Sequence, residues 1–103
     1  MRTFLKVVLS GPRPSFDFTS SNKLRHTLTS DITPTISGGR YVDGSSYLIA
    51  VQDSVGSHQI NWPSNTTNGP QPSVGAGSVT LFSFIYDEVA DTYYLSATPI
   101  GGQ

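Results

Sequence analysis

Read as a string of apolar and polar positions, the chain alternates in twos and never in threes and fours. Residues 15–19, SFDFT, put Phe16 and Phe18 on one side and polar residues on the other, the mark of a half-buried strand. Residues 24–29, LRHTLT, set Leu24, His26 and Leu28 against Arg25, Thr27 and Thr29. Residues 46–52, SYLIAVQ, form a continuous apolar run between Gly44 and Asp53, as expected of a fully buried strand. Residues 3–9, TFLKVVL, are rich in β-formers, and residues 59–62 predict a short strand after the turn DSVGS. Residues 78–86, SVTLFSFIY, and 91–97, DTYYLSA, predict a hairpin across DEVA. No window repeats apolar residues at i, i+3, i+4 and i+7, so no helix is predicted.

Between these segments lie SGGRYVDGSS and PSNTTNGPQPSVGAG, which are loops by the conformational preferences of Gly, Pro and Asn. The second is long for a plain connection, and loops of that length in compact domains are functional or held by a partner. Short strands with frequent turns predict an all-β fold, an antiparallel β-sandwich or jelly-roll-like domain with an N-terminal arm or strand over residues 1–14. The 103 residues fit one domain without internal repeats.

Composition narrows the function more than the fold. Charged residues make up 13% of the chain, about half the usual share, and six Lys+Arg against seven Asp+Glu leave a net charge of −1. Such a surface has no electrostatic footprint for nucleic acid. It also lacks one common defence against self-association, which points to an assembled protein. The absence of cysteine excludes a disulfide framework and a zinc–thiolate site. The opening MRTFLKVVLSGPRPS superficially resembles a secretion signal. Its apolar part is short, is split by Lys6 and runs into Pro12 and Pro14, so an ordinary first strand in a soluble, cytoplasmically made protein is expected. No run approaches the length of a membrane span.

Candidate chemistry is sparse. His26 and His58 are the only histidines, and no nucleophile elbow, phosphate loop or dinucleotide fingerprint is present. Both histidines are read first as ordinary strand residues. The group Asp87, Glu88 and Asp91 is the best candidate for an ion, but it lacks the alternating spacing and glycine of calcium loops. Carboxylates at a hairpin turn more often bond their own backbone. Nothing places two carboxylates at glycosidase spacing. Asn65-Thr66-Thr67 matches a glycosylation sequon without a secretory context. The sequence therefore predicts no enzyme, no metal and no cofactor.

The aromatics admit two readings. Trp62, Tyr41, Tyr47, Tyr93 and Tyr94 are suited to a sugar platform, yet strand aromatics more often fill a core or a subunit seam. Tyr93 and Tyr94 are neighbours on one strand, so one points inward and the other outward. The outward one, with Trp62, is expected to anchor an interface.

Residues 44–95 read GSSYLIAVQDSVGSHQINWPS, then NGPQPS, then SVTLFSFIYDEVADTYYL. This order resembles a β-rich module of bacteriophage virion proteins, found at tail-fibre ends and in capsid-associated accessory proteins. The resemblance rests on a strand ending in Gln52-Asp53, a glycine turn into Ile60-x-Trp62-Pro63, a Gly69-x-x-Pro72 loop, Val79-x-x-Phe82-x-Phe84-x-x-Asp87 and an aromatic last strand. This chain differs in having NTTN where the loop often carries a second tryptophan, and Glu88 where a glycine often follows the Asp.

The resemblance implies a non-enzymatic virion structural protein, made in the host cytoplasm and carried on the capsid surface. No heptads, repeats or collagen triplets supply a fibre shaft here, so a capsid cement or decoration protein is the first expectation. Its partners would be the major capsid protein or other virion proteins, with a homotrimer preferred and no nucleic acid or membrane. A tail or fibre component gripping host glycans is the first alternative, and a free carbohydrate-binding module the second. Phe4, Leu5, Val7 and Val8, together with Trp62, Tyr93 and Tyr94, are the expected interface residues. The N-terminal segment would add a strand to a neighbour's sheet.

Overall fold

The computed structural model describes residues 7–9, 12–19, 22–38 and 46–101. Every regular element among them is a strand: β1 (Val7–Leu9), β2 (Ser15–Phe18), β3 (Lys23–Leu28), β4 (Thr35–Gly38), β5 (Ser46–Gln52), β6 (Thr66–Thr67), β7 (Val79–Asp87) and β8 (Thr92–Gly101). Six form a large sheet in the order β1-β3-β5-β7-β8-β6, and β2 and β4 form a small one. The chain is all-β, as its period-two pattern predicts. The expected strand over residues 59–62 is reduced to a single bridge between Ile60 and Ile32.

The expected antiparallel pairing is corrected. Only β5–β7 and β7–β8 run antiparallel. The pairs β1–β3, β3–β5, β6–β8 and β2–β4 are parallel. Parallel neighbours need a crossover, usually a helix. Here β2 joins β1 to β3, and β4 joins β3 to β5, so each crossover is itself a strand of the small sheet. Hydrophobic alternation marks which residues are buried but carries no information on strand direction, which is why the sequence misses this.

Alternation does set the faces. Register aligns Leu24, Leu48, Phe82 and Ala97 across β3, β5, β7 and β8 on one face, and Ser46, Phe84 and Leu95 in a neighbouring row. Except for the half-buried Ala97, all of these are buried. Against this face lies the small sheet, whose Phe16 and Phe18 are both fully buried. Phe18 packs on Phe84 at 5.0 Å between ring centroids. On the opposite face Tyr47, Ile49, Val51, Val79 and Leu81 are half-buried. The continuous run of β5 is thus buried fully on one side only.

β4 ends at Gly38, whose φ is +74° and whose added Cβ would sit 2.6 Å from Thr19 N. Only glycine combines that backbone with that approach.

The two faces predict different sensitivities. Phe84→Ala opens a cavity between the sheets and is expected to cost about 3–5 kcal/mol, while Leu81→Ala on the outer face costs about 1 kcal/mol. Urea unfolding of the two variants checks this, and equal losses would contradict the assignment of faces.

Candidate functional site

The segment between β5 and β7 contains only the two residues of β6 as regular structure, so its backbone groups need other partners. Three side-chain amides supply them. Gln52, buried at the end of β5, donates from Nε2 to the carbonyls of His58 (2.9 Å) and Ser73 (3.0 Å) and accepts from His58 N at Oε1 (3.1 Å). Gln71 receives Ile60 N at Oε1 (2.9 Å) and donates to Ile60 O (2.8 Å), doing for Ile60 what a neighbouring strand would do. Asn68 donates to Leu95 O at 3.3 Å, just beyond the two residues that β6 pairs with β8. These amides were missed by the sequence reading. The available signal was Gln52 itself, a polar residue in the buried phase of an apolar run.

The turn after β5 is organised by Asp53. Its Oδ1 accepts from Val55 N and Gly56 N, both at 3.0 Å, and lies 3.0 Å from His58 Nε2. The Gly56 amide, then those of Val55 and the His58 side chain, hold its pKa below the ordinary value against the opposing effect of burial. Gly56 has φ +77°, and an added Cβ would meet Val74 O at 2.7 Å. His58 therefore belongs to a turn. His26 lies elsewhere, buried on the inner face with its ring 6.2 Å from Phe16. The two histidines do not share a site.

The hairpin carboxylates are likewise occupied. Asp87 Oδ1 accepts from Val89 N (3.0 Å) and Ala90 N (3.2 Å), and its Oδ2 accepts from Tyr94 Oη (2.8 Å). Tyr86 Oη donates to Asp91. The Tyr94 hydroxyl, then the Ala90 amide, lower the Asp87 pKa, and the same contact raises that of Tyr94. Among the described residues no three His, Asp or Glu side chains gather as a metal site.

The expected interface residues separate. Trp62 is half-buried at the edge of the core, less exposed than a surface anchor would be: its ring packs at 5.3 Å on Phe82, 5.8 Å on Phe84 and 6.3 Å on Phe16, and its indole N–H donates to Pro70 O. Tyr93 is corrected, being 1% exposed with its hydroxyl donating to Gly38 O at 2.7 Å. Tyr94 points outward and is 42% exposed. The split follows strand alternation, which turns Tyr93 into the core with its hydroxyl satisfied and Tyr94 out, while Trp62 lies at the core's edge. Phe4, Leu5 and Tyr41 lie outside the described residues. Val7 and Val8 enter as the backbone of β1, paired with β3 of their own chain. No family model, characterised protein or solved structure matches this chain.

Two outcomes are expected. Trp62→Ala should destabilise the fold by roughly 2–4 kcal/mol, read by thermal or urea unfolding. The second concerns acid. Asp53 and Asp87 have folded-state pKa values below the ordinary carboxylate value, so their stabilisation is present above that value and is lost as pH falls through the folded-state value. Unfolding followed from pH 7 downward should show stability falling below about pH 4, with the fall reduced in an Asp53→Asn, Asp87→Asn double variant. An unchanged acid slope in that variant would contradict the role given to the two turns.

Proposed function

We propose that this chain is a non-enzymatic structural protein of a virion, built as a two-sheet β-sandwich and serving as a capsid decoration protein that stabilises the outer shell. The observation that carries this reading is the role of the residues in the 44–95 pattern. Gln52 and Asp53 secure the loop between β5 and β7, Ile60, Phe82 and Phe84 fill the interior with Trp62 packed against them, and Asp87 closes the hairpin. A pattern spent on holding a scaffold fits a protein whose work is contact. The resemblance supplies the virion context.

Supporting the same reading, the outer face of the large sheet presents half-buried Ile49, Val51, Val79 and Leu81 among uncharged Ser83, Ser96 and Thr98. An aliphatic surface with small hydroxyl side chains among it suits a protein contact more than a sugar. The glycan-gripping alternative calls for an exposed Trp62 with tyrosines beside it; the Trp62 ring is half-buried against Phe16, Phe82 and Phe84 and Tyr93 is buried, which favours decoration. A chain that binds the assembled shell and not its separated subunits stabilises the shell by mass action.

The test mixes the purified protein with empty shells of the major capsid protein from the same virus. Co-sedimentation and a raised shell melting temperature are expected. Deleting residues 1–9 removes β1, a three-residue edge strand, and should abolish shell binding while leaving a folded domain by circular dichroism. Full-length protein that stays in the supernatant would end the decoration reading.

A further inference from the structure

On one side the large sheet ends with β8, a strand that its neighbour covers only in part. β6 pairs with Tyr93 and Tyr94 alone, and the Asn68 side chain takes Leu95 O just beyond them. Among the described residues, no strand lies along this side of Ser96–Gly101. The direction of the backbone groups there follows from the Tyr93 amide, which donates away from β7 to Asn65 O at 2.8 Å. In an antiparallel ladder, successive residues turn their N–H and C=O alternately to one neighbour and to the other. Leu95, Ala97 and Pro99 therefore face the same way as Tyr93, while Ser96 and Thr98 bond to β7 opposite Ser83 and Leu81. Pro99 stands where its missing N–H costs the β7 ladder nothing. The edge is left with the N–H of Ala97 and the carbonyls of Ala97 and Pro99.

Charge does not defend this edge. Edge strands are commonly protected by charged side chains, and residues 92–101 include no Lys, Arg, Asp or Glu. Ser96, Thr98 and Pro99 are exposed, and Ile100 is 51% exposed. The edge is also its own complement. Two copies laid antiparallel about Thr98 bring Ala97 of each opposite Pro99 of the other, so each Ala97 N–H meets a Pro99 carbonyl. On the outer face Thr98 then meets Thr98, and Ser96 meets Ile100 of the other copy. Asn68 at one end and the register shift around Ile100 at the other confine the pairing to one short segment. A second copy is the fitting occupant because it supplies the matching groups and brings no like charges together.

We propose that two copies of this chain pair β8 to β8, antiparallel about a twofold axis at Thr98, joining their large sheets into one. Such a contact is isologous, so it closes at two chains. Its few main-chain bonds and small area make it weak and concentration-dependent. It uses the edge of the sheet and stands apart from shell binding.

Because the chain has no cysteine, single introduced thiols test the pairing directly. Thr98→Cys puts its thiol at the axis, where facing residues that turn their backbone bonds away from each other have Cα atoms about 4.5 Å apart, within disulfide reach. Ser96→Cys lies about 13 Å along the strand from its counterpart, beyond that reach. Mild oxidation is expected to link Thr98→Cys into a covalent pair and to leave Ser96→Cys unlinked. By light scattering, the mass of the wild type should rise with concentration from 11.0 kDa to twice that and no further. Thr98→Lys sets two ammonium groups together at the axis. It should stay at the mass of one chain and unfold at the temperature of the dilute wild type, since that side chain is exposed. A single-chain mass of the wild type at every concentration would overturn the proposal, as would an assembly larger than two. Equal linking of the two cysteine variants, or a Thr98→Lys variant that still pairs, would overturn it as well. None of these outcomes bears on the shell-binding experiment.

Discussion

Trp62 is the point at which the two sheets and the longest loop meet. Its ring touches Phe16 from the small sheet and Phe82 and Phe84 from the large one, while its indole N–H holds Pro70 of the loop. A tryptophan in that position solves two problems together. The ring fills the space between layers, and its single donor fixes a carbonyl of a segment with almost no ladder of its own. The rest of the loop follows from this anchor: with residues 62–70 pinned, Gln71 comes beside Ile60 and Ser73 beside Gln52, where their bonds form.

The segment between β5 and β7 is thus held mostly by bonds outside secondary structure. Buried backbone donors and acceptors must be paired, and side-chain amides do this where no strand is available. Gln52 and Gln71 together satisfy five backbone groups, and Asp53 caps two more. Such bonds are individually modest, near 1 kcal/mol, but leaving their partners orphaned is costlier. Polar residues here do the work that a sheet edge does elsewhere.

What remains free for function is what this scaffold does not consume. His58, Asp53, Asp87 and Asp91 are tied into turns, and Trp62 and Tyr93 into the packing of the core. The remainder is the aliphatic and hydroxyl side chains of the outer sheet face and an apolar hairpin tip. Those are features of contact between folded surfaces, with the sheet face offering the area.

The sequence by itself determined the β class, the alternating inner face of the strands, and strands over 15–18, 23–28, 46–52 and 79–87 close to their expected bounds, while the last, expected over 91–97, runs on to Gly101. It did so because burial on a pleated strand repeats every second residue, and that period is written directly in the order Phe16–Phe18, Leu24–His26–Leu28 and Phe82–Phe84. It also placed Tyr93 and Tyr94 on opposite faces. Only the tertiary structure decided strand direction, the use of β2 and β4 as crossovers, and which aromatics were inside. Those depend on residues far apart in the chain, such as Ile32 with Ile60, Tyr93 with Gly38 and Trp62 with Phe16. Local alternation is the same for a parallel or an antiparallel neighbour, and an isolated tryptophan reads alike in a loop that wedges inward and one that faces water.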